Sequence, residues 1–157
     1  MESRASFISH FKILKMKKYL LSGGFVLFAM TNIIAQNKSN SASYNVVFDL
    51  TSGDTVEHKA VLRWINLISE SHPEANIELV VYGNALPVFI KGKSIAGSEI
   101  TRLAAGKKIA FRACALTMKR YNIDKEQLIQ GVEQVPDAIY EIVSRQADGW
   151  GYIKVSH

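Results

Sequence analysis

The chain has one cysteine, Cys114, and four histidines at positions 10, 58, 72 and 157. A thiol becomes a strong nucleophile once ionised, and its thiolate fraction rises where backbone N–H groups or cations stand close. Around Cys114, the alternating run Ile109, Phe111, Ala113 passes directly into a helical pattern. The thiol therefore falls at a strand-to-helix junction, where unpaired N–H groups and the positive helix end favour an anion. The competing reading is a small buried hydrophobe, the common lot of an unpaired cysteine. Arg112 leaves the strand on the same side as Cys114 only if the strand continues to 114. Lys119 and Arg120 lie a turn or more along the helix.

Other candidates are weaker. His58 falls in the first turn of a capped helix, where it could protonate a leaving group or stand idle in solvent. Gly83-Asn84 could offer an amide to a ligand or make an ordinary turn. Thr51 ends the first strand run. Trp64, Phe48 and Phe111 read as core packing. The histidines are too scattered to read as metal ligands, and a single cysteine excludes intrachain disulfides. Gly53-Asp54 lacks the glycine spacing and Lys-Ser/Thr of a phosphate loop, and no Ser-His-Asp order or paired-carboxylate motif stands out.

With 157 residues, 48% of them hydrophobic, the chain can build one ordinary core. Its net charge of +5 would suggest an anionic partner, but Arg4, Lys12, Lys15, Lys17 and Lys18 all precede residue 36, opposed only by Glu2. The remainder is close to neutral, so nucleic acid is not expected. Lys17-Lys18 and the apolar stretch from Tyr19 to Ala35 have the layout of a secretory signal, with cleavage expected after Ala35. The alternative is an uncleaved anchor, which would be the chain's one attachment to a membrane. Met16 is a plausible start of translation. Residues 36–43, rich in Ser and Asn, read as a flexible leader. The chain is thus expected to be exported to the periplasm, with its folded domain over 44–157.

That domain alternates strand and helix. Strands are expected at 44–50, 77–82, 108–113, 132–135 and 150–155. Asp54 caps a helix with Val61, Trp64, Ile65 and Ile68 on one face. Residues 85–97 read as a loop with a helical turn near Pro87, and Ser98 as the cap of the next helix. A helix opens at Cys114, a short one at Asp124, and the last takes Pro136 as its first residue. Five strands with helical crossovers predict an α/β fold, a three-layer α/β/α domain with a mostly parallel five-stranded sheet. In such a sheet Leu50-Thr51, Gly83-Asn84 and Ala113-Cys114 converge on one rim, outside the strands' carboxyl ends, where ligands bind.

Several segments then occur in a telling order: Val47-Phe48-Asp49-Leu50, a helix with His58-Lys59-Ala60, Glu78 through Tyr82-Gly83-Asn84-Ala85, and Phe111-Arg112-Ala113-Cys114 through Lys119-Arg120. Gly131-Val132 to Val135-Pro136, Arg145-Gln146 and Gly149-Trp150-Gly151-Tyr152-Ile153-Lys154 follow. Through them residues 44–155 resemble the DsrE/DsrF-like family of sulfur-relay proteins. The resemblance implies an oligomeric domain whose cysteine after the third strand accepts and passes sulfur as a persulfide, and Cys114 matches that position. The best-understood relays work in the cytoplasm, whereas this chain reads as exported. The expectation is a sulfur carrier with Cys114 as the reacting group and Thr51, His58, Gly83 and Asn84 as substrate contacts. No metal or organic cofactor is expected. Its partners would be sulfur donor and acceptor proteins or small polysulfides, and further copies of itself. This chemistry requires the sulfur to stand open to solvent. The alternatives are a ligand-binding or assembly module of the same fold, or a thiol redox sensor.

Overall fold

The computed structural model describes residues 44–106 and 108–156. The expected signal segment 1–35 and leader 36–43 lie outside the described residues. Along the chain run β1 (Asn45–Leu50), α1 (Thr55–Ser71), β2 (Asn76–Val81), a 3-10 helix (Gly83–Phe89), α2 (Gly97–Ala104) and β3 (Ile109–Cys114). Then come α3 (Ala115–Arg120), a short 3-10 helix (Lys125–Gln127), β4 (Val132–Val135), α4 (Ala138–Ala147) and β5 (Gly151–Lys154). The five strands form one sheet in the order β4-β3-β2-β1-β5. Every pairing is parallel. The three-layer α/β/α architecture is therefore as expected.

The two faces of the sheet differ sharply. On the first, Phe48, Leu50, Leu79, Val81 and Phe111 pack against Val61, Leu62 and Ile65 of α1 and Ile100 and Leu103 of α2. Leu86, Phe89 and Met118 complete this larger core. Each fully buried aliphatic or aromatic side chain here contributes about 1.5–3 kcal/mol. The second face is smaller: Val47, Val80 and Cys114 meet Ala138 and Ile142 of α4, with Tyr82 and Trp150 packed beside them. Strand alternation sends Asp49, Glu78, Arg112, Tyr152 and Lys154 to this same face. It is a polar face under a single helix.

Local chemistry explains most boundaries. Asp54 accepts from the Val56 N–H at 2.8 Å and so caps α1, a contact worth about 1 kcal/mol. Three expectations need correction. The turn placed near Pro87 is a 3-10 helix that begins at Gly83, directly after β2. The cap of α2 is Ala96, not Ser98, which lies inside the helix. Pro136 is not the first residue of α4, because Asp137 accepts from the N–H groups of Ile139 and Tyr140 and takes the N-cap position itself.

Candidate functional site

Cys114 is both the last residue of β3 and the N-cap of α3, at φ −72° and ψ 119°. Because β3 continues to 114, Arg112 and Cys114 leave the sheet on one face, as alternation requires. The surroundings of the sulfur are not those expected. Cys114 is only 4% exposed and packs against Val47, Val80, Ala138 and Ile142. The reason is α4, whose Ala138 and Ile142 lie over the carboxyl end of β3. Two half-buried aromatics, Tyr82 and Trp150, stand beside the cluster, so the thiol lies close under the surface.

Next to it, on the same face, lies a network the sequence reading missed. Asp49, 4% exposed, accepts from Tyr152 Oη at 2.8 Å, Lys154 Nζ at 3.0 Å and Tyr82 Oη at 3.5 Å. Lys154 Nζ also donates to Thr51 Oγ1 at 2.8 Å and stands 5.7 Å from the Tyr82 ring centre. The hydrogen bond to Asp49, then burial, pushes the Tyr152 phenol up to about 12. Burial first, then the Asp49 charge and the bond to it, raises Tyr82. One signal was readable: an aspartate inside the apolar run Val46 to Leu50 demands a partner. The two nearer partners come from β5, about a hundred residues on, and no local pattern announces them.

The expected contacts separate into two groups. Thr51 belongs to the Lys154 network on the second face. His58 is buried on α1, and its Nε2 donates to the Ser52 carbonyl at 2.8 Å. That bond ties α1 to the loop after β1, so the imidazole does not stand idle in solvent. Gly83 and Asn84 sit at the rim. Gly83 has φ +60°, which favours glycine, and its N–H donates to Thr117 Oγ1 at 3.2 Å. A Cβ on Gly53 would stand 3.2 Å from the Asn84 carbonyl oxygen, so the loops after β1 and β2 touch as the parallel fold requires. Asn84 Oδ1 accepts from Tyr121 Oη at 3.0 Å, and both residues line a cavity of about 250 Å³.

A second polar cluster lies deeper on the second face. Glu78 is 1% exposed, and its Oε2 meets Arg145 Nη2 at 2.9 Å and Arg112 Nε at 3.6 Å. Arg112 also pairs with Glu133, and Arg145 with Glu141. Burial raises the Glu78 pKa above the usual carboxylate range, opposed by the bond and charge of Arg145. Three buried atoms, Glu78 Oε1, Arg112 Nε and Arg145 Nε, lack a hydrogen-bond partner. The cluster sets two guanidinium groups among three carboxylates, and its ion pairs tie β2, β3, β4 and α4 together. Among the described residues no group of three His, Cys, Asp or Glu is placed to hold a metal ion. Nor is any described helix long and apolar enough to cross a membrane.

No protein-family model matches the chain, and no curated protein matches its sequence. Solved structures do. A protein of unknown function, MTH1491 from Methanobacterium thermoautotrophicum, is 27% identical with a TM-score of 0.66, over 71% of this chain and 98% of its own. A conserved protein of unknown function, BT1422 from Bacteroides thetaiotaomicron, is 12% identical with a TM-score of 0.58, over 75% of this chain and 100% of its own. The ychN protein from E. coli is 12% identical with a TM-score of 0.58, over 70% of this chain and 96% of its own. These likenesses establish the α/β fold and span nearly the whole of each neighbour.

Proposed function

We propose that this chain is a DsrE/DsrF-like sulfur carrier that holds sulfane sulfur on Cys114. The observation that carries the reading is the position of the chain's one thiol, at the carboxyl end of a central parallel strand and the start of a helix. In the reaction the Cys114 thiolate attacks the terminal sulfur of a persulfide or polysulfide. A Cys–S–S bond forms and the donor leaves one sulfur shorter, as a thiolate or shorter polysulfide. An acceptor thiolate then attacks the outer sulfur and regenerates Cys114. Burial at 4% exposure means that this exchange requires the cover of Ala138 and Ile142 to open. A shelter of this kind also keeps a bound persulfide from side reactions in an oxidising compartment.

The same burial favours a second reading, in which Cys114 is packing and the fold serves as a binding or assembly module. One experiment separates the two. Purified protein is treated with polysulfide, freed of small molecules and weighed intact. A carrier gains sulfur, loses it to added thiol, and gains none as Cys114→Ala. Absence of gain, or equal gain in Cys114→Ala, leaves the second reading in place. We further propose that the protein is exported to the periplasm and assembles with copies of itself. The second proposal is supported by Ile139, Tyr140 and Val143 of α4, which are 60%, 72% and 55% exposed.

A further inference from the structure

We propose that the cavity beside the 3-10 helix Gly83–Phe89 binds a short-chain aliphatic carboxylate, with its head on Lys93 and Asn84 and its chain on Leu86, Pro87 and Ile90. All five residues line one cavity of about 250 Å³. Its apolar walls are Leu86, Pro87, Ile90 and Ile123 with the Tyr121 ring, and Leu86 and Ile90 belong to the larger core on the first face of the sheet. Its polar side-chain groups are the Asn84 amide, the Lys93 ammonium and the Tyr121 hydroxyl. Asn84 Oδ1 already accepts from Tyr121 Oη, so the amide presents Nδ2 as a donor to any occupant. Lys93 is exposed and forms no ion pair among the described residues. Its neighbour Lys91, by contrast, is engaged with the Glu126 carbonyl at 2.7 Å.

Size and polarity together define the ligand. A cavity of about 250 Å³ falls just below the usual range for drug-sized molecules and suits a small ligand better than a nucleotide or a long lipid. An apolar floor rejects a fully polar anion such as phosphate. Two donors, one of them cationic, with no acidic residue lining the cavity, reject a cation. A carboxylate carrying a few methylenes satisfies all three conditions. The cavity's Leu86 and Ile90 belong to the core on the sheet face opposite the thiol cluster.

The test is a titration of the whole isotopically labelled protein with hexanoate, acetate and 1-hexanol, followed by amide shifts. Hexanoate is expected to give saturable shifts centred on Gly83, Asn84 and Lys93. Hexanol, without the charge, should bind about five- to tenfold more weakly, and Lys93→Gln should weaken hexanoate by a similar factor, the charge being solvent-exposed. Acetate, without the chain, should lose at least about tenfold. Cys114→Ala should leave hexanoate binding unchanged. Non-saturating shifts, equal binding of hexanol and hexanoate, or unchanged affinity in Lys93→Gln would each overturn the proposal.

Discussion

At the scale of single residues, burial decides how Cys114 behaves. An opening step must precede any reaction of a thiol packed against Val47, Val80, Ala138 and Ile142. Iodoacetamide should therefore modify native Cys114 at least about a hundredfold more slowly than the unfolded chain, equivalent to an opening cost of about 3 kcal/mol. Equal rates would show that the sulfur stands open in solution. The choice of substitution follows from the same packing. Cys114→Ala should cost about 1 kcal/mol in urea unfolding for the lost sulfur, whereas Cys114→Ser places a hydroxyl among aliphatic groups and should cost about 1–3 kcal/mol. Tyr152 offers a pH test. Its folded pKa, pushed up to about 12, lies above the ordinary phenol value of 10.0, so its contribution to stability is complete below pH 10 and vanishes as pH rises through 12. Stability should fall over that interval, and Tyr152→Phe should flatten the fall. A wild-type profile matching that of Tyr152→Phe would mean that the bond to Asp49 does not form.

At the scale of elements, α4 is both the cover of Cys114 and a short helix held by one cap. Asp137 accepts from Ile139 N–H at 2.8 Å, and Asp137→Ala should cost about 1 kcal/mol. If α4 is the gate, that loss should speed Cys114 alkylation about fivefold in the native protein, the Boltzmann factor for 1 kcal/mol. An unchanged rate alongside the stability loss would assign the opening to another element. The same helix shows what was and was not legible in the sequence. Periodicity placed all five strands and the Asp54 cap, because those signals are local and strong. It misjudged the starts of α2 and α4, where Ser98 and Pro136 are good first-turn residues displaced by Ala96 and Asp137. It could not reveal that Ala138 and Ile142 close over Cys114, since no local pattern encodes which helix lies over which strand end. The partner of His58 was illegible for a related reason: Ser52 offers a backbone carbonyl that carries no sequence signature.

At the scale of the molecule, the two faces of the sheet are unequally covered, and this bears on assembly. The first face holds a continuous core under α1 and α2, while the second holds five buried aliphatic or thiol side chains, two charge networks and α4. The outer surface of α4 carries Ile139, Tyr140 and Val143, and β5 adds Tyr152 and Ile153, 42% and 39% exposed. Scattered apolar residues on a surface need no explanation, but Ile139 and Val143 are one helical turn apart and form a stripe with Tyr140. A second copy docking there would bury that stripe and deepen the cover of the thiol. Light scattering on the purified protein should report a mass above that of one chain. Val143→Glu places a charge in the stripe without touching the core and should return the protein to a monomer with its unfolding midpoint lowered, since association stabilises the folded state by mass action. A monomeric wild type, or a Val143→Glu variant with unchanged mass, would remove α4 as the docking surface.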